Sequence, residues 1–290
     1  MKISVNTYSF SDLINAGEMT QIEAIEKAAE MGFDEIEFSG LEIQEGETPL
    51  SMAKIIRKKC EKTGIGIANY AIGADFLQGS NGDLKAEIER LKKEVEVAAA
   101  LGTNKMRHDA SRGFPDNYQG LKSFDKALPA LIKGCKAVTK YAADYGIKTM
   151  IENHGFFCQE SRLVEKVVNG VNHPNFGVLI DIGNFLCVDE EPIEAITRLM
   201  PYAFFIHAKD FHVKSGLEAD PGQGWFLTSG CNHLRGAIIG HGDIAIDQCL
   251  KIIKRNGYDG TLSIEFEGIE EPLKAISIGL NNLKRYLKQV

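Results

Sequence analysis

No apolar run in this chain of 290 residues approaches the ~18 residues needed to cross a bilayer. The first residues, MKISVNTYSF, are too short and too polar for a secretory leader. Together these absences lead us to expect a cytoplasmic protein without a membrane partner. There is no basic block either. Net charge is −7, so the positive footprint of a nucleic-acid binder is missing. Cysteines number six, and none forms a Cys-x-x-Cys pair. That leaves reduced thiols, mostly in the core, rather than a disulfide frame or zinc site. No Gly-x-Gly-x-x-Gly follows the first strand candidate, which weakens a dinucleotide-binding doubly wound sheet. Low-complexity tracts, linkers and composition shifts are absent. We therefore expect a single domain over residues 1–290.

What is present is one pattern, written eight times. A short β-rich run leads to a polar turn and then to an amphipathic segment with apolar spacings of three and four, as in IEAIEKAAEM. The strand candidates begin at Ile3, Glu35, Gly66, Asn104, Lys148, Gly177, Ala203 and Thr261. Gly32, Gly64, Gly102, Gly146 and Gly257 close five of the helical segments, where a left-handed cap is expected. Strands alternating with helices are parallel strands with crossovers. Eight such units predict a closed (β/α)8 TIM barrel. The one long irregular stretch, 210–245, is then expected as a loop after strand seven. It would border the catalytic mouth and offer Trp225, Arg235 and His241 to substrate.

Four of the apolar strands end on a residue that resists burial. They read TMIENHG to Glu152, VLIDIGN to Asp181, FFIHAKD to His207 and LSIEFEG to Glu265. Barrel chemistry sits at the carboxyl ends of strands, so four neighbouring staves would bring these groups together. Three carboxylates alone would repel one another. A divalent cation removes that conflict. Carboxylate oxygens with one imidazole suit Mn²⁺, the expected ion, and also Mg²⁺, Co²⁺ or Zn²⁺. Glu152, Asp181, His207 and Glu265 are thus the expected metal ligands.

Side chains two apart on a strand share a face. His154 therefore accompanies Glu152, Lys209 accompanies His207, and Glu267 accompanies Glu265. Lys209 would meet a substrate oxygen or pair with Glu265 or Glu267. His154 would shape the pocket or steer Glu152. Glu37 would read a substrate hydroxyl or pair with Arg107. Asn6, Tyr8 and Asn69 end strands one and three and are expected as hydrogen-bond readers. Of Arg107 and His108 only one can face inward. Glu267, roughly 6–7 Å above Glu265, is the residue most easily mistaken for a ligand.

GFDEIEF, IENHG, NHPNFGVLIDIGNF, FIHAKD, GHGDI and GYDGTLSIEFEG together resemble the xylose isomerase-like TIM barrel superfamily, over essentially the whole chain. Its sugar phosphate isomerase and epimerase group includes ketose 3-epimerases, hydroxypyruvate isomerases and inosose dehydratases. The resemblance implies a Glu–Asp–His–Glu metal site, which falls on Glu152, Asp181, His207 and Glu265. Many members carry Asp-x-x-His after the metal aspartate. Here that histidine is replaced by Asn184, a candidate for a different substrate contact.

The leading expectation is a metal-dependent isomerase or epimerase of sugars or sugar phosphates. A cation would stabilise the enediolate left by a departing C–H proton, and Glu152 and Glu265 would exchange that proton as acid and base. Loss of a β-hydroxyl instead would make the enzyme a dehydratase or lyase, inosose dehydratase-like or a keto-glycoside-cleaving subunit. A third reading, phosphodiester cleavage as in AP-endonuclease-like barrels, is opposed by the negative charge. A fourth, a non-catalytic sugar binder, would not need four ligands. The expected partner is a small carbohydrate, with no nucleic acid, and a homo-oligomer is compatible with the sequence.

Overall fold

The computed structural model describes all 290 residues. Eight parallel strands close into a barrel. They are β1 (Lys2–Asn6), β2 (Glu35–Ser39), β3 (Gly66–Ile72), β4 (Lys105–His108), β5 (Lys148–Glu152), β6 (Phe176–Asp181), β7 (Ala203–Ala208) and, closing the ring against β1, β11 (Thr261–Ile264). The helices are α1 (Ser11–Asn15), α2 (Gln21–Met31), α3 (Pro49–Thr63), α4 (Leu84–Leu101), α5 (Phe124–Ala143), α6 (Ser161–Val171), α7 (Pro192–Leu199), α8 (Ile246–Arg255) and α9 (Pro272–Leu287). Their starts follow local chemistry. Thr20 and Glu23 exchange side-chain bonds with each other's backbone at the head of α2, and Asp83 caps α4. The five glycines expected to end helices all have positive φ. One continuous core of 66 buried residues holds strands and helices together.

The barrel interior has its own small apolar plug of Ala68, Met150, Leu179 and Phe205. Three of these stand two residues before Glu152, Asp181 and His207, so they share the inward face of the same strands. The polar strand ends thus rest on a dry floor.

Residues 210–245 are not irregular throughout. A third of the segment builds a three-stranded antiparallel sheet of β8 (Asp210–Lys214), β10 (His233–Ala237) and β9 (Phe226–Leu227), and the rest is turns and connections. Asp210 organises its return. Its buried carboxylate accepts backbone N–H groups from Phe211, Gly240, Gly242 and Ile244 at 2.8–3.3 Å. A Cβ at Gly242 would stand 2.2 Å from Asp210 Oδ1, which explains the glycine in GHGDI. The sheet leans on the exit of β11 through a bridge between Gly236 and Gly268. No helix is long and apolar enough to cross a membrane. All six cysteines are free thiols, and only Cys231 is exposed.

Candidate metal centre and active-site cleft

The strand register sets the site. Asp181 on β6 pairs directly with His207 on β7, and the Glu265 N–H, just past β11, bonds the Ala208 carbonyl of β7. One ligand atom from each of Glu152, Asp181, His207 and Glu265 falls within 4.8 Å of the others, and all four residues are buried.

Each ligand is held by its far side. His207 Nε2 faces Glu37 Oε2 at 2.9 Å, and Glu37 Oε1 accepts a bond from Asn69 Nδ2 at 2.8 Å. Nδ1 is left pointing into the cluster. It lies 3.6 Å from Asp181 Oδ2 and Glu265 Oε1 and 3.7 Å from Glu152 Oε1, beyond hydrogen-bond length. Asp181 Oδ1 accepts the N–H groups of Gly183 and Asn184, whereas the buried Oδ2 faces the cluster with Lys209 Nζ at 3.2 Å. An unpartnered buried imidazole nitrogen facing three carboxylates is the donor set of a hard or borderline divalent cation. The residues fit such an ion.

The two glutamates are also tied to cations. Arg107 Nε stands 2.5 Å from Glu152 Oε2, and Asn184 Nδ2 donates to Glu152 Oε1 at 3.1 Å. Lys209 Nζ stands 2.6 Å from Glu265 Oε2, and Asn6 Nδ2 donates to Glu265 Oε1 at 2.9 Å. Burial alone would push the Glu265 carboxyl up. Lys209 and His207 beside it prevail and hold it well below the ordinary carboxylate range. Burial likewise works against Glu152, and Arg107 lowers it. Glu267 differs. Burial raises its carboxyl despite Lys209 at 3.4 Å.

Above the cluster opens a cleft of about 250 Å³. Of the expected substrate contacts, Asn6, Tyr8, His154 and Lys209 line it. The other six do not. Glu37 and Asn69 are fully buried beneath it and spend their bonds on His207 and on each other, so Glu37 lies outside the cleft lining and is paired with His207 rather than Arg107. Asn184 is buried as well and bridges Glu152 to Lys209, whose Nζ donates to its Oδ1 at 3.1 Å. Trp225, Arg235 and His241 are also absent from the lining. The Arg235 guanidinium lies over the Trp225 ring at 5.6 Å and donates to Glu270 at 3.3 Å, while His241 is exposed in the turn beside Asp210. Arg235 thus spends its charge on Trp225 and Glu270 rather than on the cleft.

Arg107 is the inward residue of its pair. It also meets Asp109 at 2.8 Å, and Asp109 in turn holds His154 Nδ1 at 3.0 Å. His108 points outward, buried between Phe76 and Phe176. Burial lowers its pKa to about 4. Arg112, Ser39 and Ala71 are cleft residues not anticipated from the sequence. The signal for the first existed. Arg107 and Asp109 repeat the two-residue spacing of Glu152/His154 and His207/Lys209, which marks the β4 exit as part of the mouth. Asp75 then pins the turn after it, accepting the Arg112 N–H at 3.2 Å and the Ser111 hydroxyl at 2.7 Å.

A barrel of eight parallel strands with an acidic, histidine-bearing cluster at its carboxyl mouth defines an α/β barrel with a candidate metal site. The sequence pattern of the xylose isomerase-like TIM barrel family matches residues 25–286, and the chain belongs to that family. An inosose dehydratase of Clostridium botulinum is 25% identical over 163 residues, covering 55% of this chain and 53% of that protein. The chain spans about half the length of the curated relatives it matches. A D-allulose 3-epimerase from a Methylomonas species superposes with a TM-score of 0.72 at 16% identity, covering 99% of this chain and 98% of the other. A xylose isomerase-like TIM barrel protein from Mycobacterium smegmatis, solved in complex with magnesium, gives 0.72 at 16% identity, covering 99% and 97%. At these identities the two structures speak for the fold alone.

Proposed function

We propose that the protein is a divalent-metal-dependent isomerase or epimerase of a small sugar or sugar-like ketone. The observation that carries this reading is the convergence of His207 Nδ1, which has no hydrogen-bond partner, with carboxylate oxygens of Glu152, Asp181 and Glu265. Glu152, Asp181, His207 and Glu265 would hold the ion, with Mn²⁺ or Mg²⁺ as first candidates. When bound, such an ion supplies Lewis-acid polarisation of neighbouring carbonyl and hydroxyl oxygens.

The chain's own residues supply the proton chemistry. β5 and β11 are separated by β6 and β7, so Glu152 and Glu265 approach the cleft from different sides. One removes a proton from the carbon beside a carbonyl, and the other returns a proton to the opposite face or to the neighbouring carbon. Arg107 and Lys209 keep both carboxylates ionised and fixed in direction. Asn6, held by the Tyr8 N–H and the Ser39 hydroxyl through its own Oδ1, restrains Glu265 further.

Dehydration is the second reading, and the sequence relationship to inosose dehydratase favours it. In that case His154, steadied by Asp109, or Lys209 would protonate a departing β-hydroxyl.

One experiment separates these readings. The metal-loaded protein is incubated in D₂O with ketoses, ketose phosphates, hydroxypyruvate and inososes, and the products are followed by NMR and mass spectrometry. Isomerisation or epimerisation puts deuterium on carbon at constant composition. Dehydration gives a product lighter by one water. No exchange and no product with any of these substrates would defeat the proposal.

A further inference from the structure

The metal-side cleft is not the largest cavity at the barrel mouth. A second lobe of about 480 Å³ opens beside it, between the exits of β2 and β3, the start of α3 and the Arg90–Glu94 stretch of α4. Ser39, Ala71 and Arg107 line both spaces. Ser39 and Ala71 are register partners at the ends of β2 and β3. Two small side chains side by side leave a passage where larger ones would make a wall. The inner cleft alone falls short of the ~300–1,000 Å³ usual for ligand pockets, while the outer lobe lies within that range.

The outer lobe has charged walls but no charge to spare. Arg90 is engaged by both oxygens of Glu87, at 2.6 and 3.0 Å, and donates to the Gly73 carbonyl at 2.8 Å. Glu94 accepts the Tyr70 hydroxyl at 2.8 Å. Arg107 is taken by Glu152, Asp109 and the Ile72 carbonyl. An anionic ligand group would find no unpaired cation here. The open lining is mixed, with its apolar part on one side. Leu41, Ile43 and Pro49 from the β2–α3 connection form one side, and Ile43 is 44% exposed within a concave surface. Such a surface gains from being covered.

We propose that the outer lobe is a second substrate subsite for an uncharged sugar ring, so that the protein acts on a glycosyl-linked ketose rather than on a free monosaccharide or a sugar phosphate. The reacting unit sits over the metal cluster. The linkage passes between Ser39 and Ala71, and the second ring lays its C–H face on Ile43 and Pro49. This assignment rests on the function proposed above for the inner cleft, but its test does not depend on turnover.

Calorimetry on the Mg²⁺-loaded protein compares D-fructose, fructose 6-phosphate and the glucosyl-fructose disaccharides turanose, leucrose and isomaltulose. These disaccharides keep the ketose and differ in the linkage position. At least one should bind about tenfold or more tightly than fructose, consistent with burial of one further ring face. Fructose 6-phosphate should show no such gain. Ile43→Asp should cut the ratio of disaccharide to fructose affinity by about tenfold, and Ile43→Val should largely restore it. The subsite is overturned if no disaccharide exceeds fructose, if the phosphate is the tightest ligand, or if Ile43→Asp leaves the ratio where it was. A disaccharide advantage without deuterium exchange would instead remove the isomerase reading and leave the subsite standing.

Discussion

His207 and Glu37 face each other across the barrel interior, with Nε2 and Oε2 2.9 Å apart and both side chains essentially excluded from solvent. A neutral imidazole has one donor and one acceptor nitrogen. Burial opposes a charged ring here, yet Glu37 and Glu265 raise the His207 pKa well above its ordinary value, so an ion would displace the Nδ1 proton. With Nε2–H given to Glu37, the freed lone pair would lie at Nδ1, the atom that points at Asp181 and Glu265. Glu37 would thereby decide which nitrogen binds an ion, and Asn69 aims Glu37. Glu37→Gln should therefore weaken Mn²⁺ or Mg²⁺ affinity by ~10–100-fold. Titration with the ion, followed by calorimetry, checks this, and an unchanged affinity would show that the pair is only structural. His207→Ala should remove most of the ion outright.

Glu152→Gln and Glu265→Gln keep size and one oxygen donor but lose the base. Turnover on the substrate found by deuterium exchange should fall by ~10²–10⁴ in each, with most of the metal retained. In a two-base epimerase one variant should still wash out the proton it can reach without completing the inversion. Near wild-type turnover in both variants would reduce the glutamates to ligands at most.

The carboxyl of Asp109 is resisted by burial, yet Arg107 and His154 hold its pKa down at about 2. Its folded value therefore lies below its unfolded value, near 3.9. The resulting stability is fully present above about pH 4 and is lost as pH falls toward 2. Asp109→Asn should cost about 2 kcal/mol at pH 7. Urea denaturation between pH 7 and 3 should show the gap between variant and parent beginning to narrow at the acid end. A gap independent of pH would mean that Asp109 contributes packing rather than charge.

Arg112 lines the cleft and has no acidic partner within ion-pair distance, whereas Arg107 and Lys209 are both engaged. Its backbone is pinned by Asp75 while the side chain stays exposed. Acidic inhibitors of the inner cleft should weaken by about tenfold in Arg112→Ala, as expected for loss of one charge-assisted contact. Neutral sugars should change little. Equal effects on both classes, read from inhibition constants, would take this role from Arg112.

Much of this molecule was legible before any coordinates. The eight-fold alternation of strand and amphipathic segment dictates the barrel, because parallel strands need crossovers and eight such units close on themselves. The four strand-end groups were visible because inward positions recur every second residue, so Glu152, Asp181, His207 and Glu265 announce themselves by ending apolar runs. Which polar neighbours face the cleft was decided only in three dimensions. Asn69 and Glu37 occupy inward positions just as Asn6 does, yet they lie too deep in the barrel to reach the cleft and instead position His207. Asn184 lies close enough in sequence to Asp181 to suggest a substrate contact, but packing turns it between Glu152 and Lys209. The segment 210–245 looks irregular because its order comes from pairings distant in sequence, from Lys214 with His233 out to Asp210 with Ala237, and from the buried Asp210 carboxylate. The outer lobe is likewise tertiary. Small residues on two adjacent strands mean little in sequence, but as register partners Ser39 and Ala71 open a passage that neither side chain creates alone.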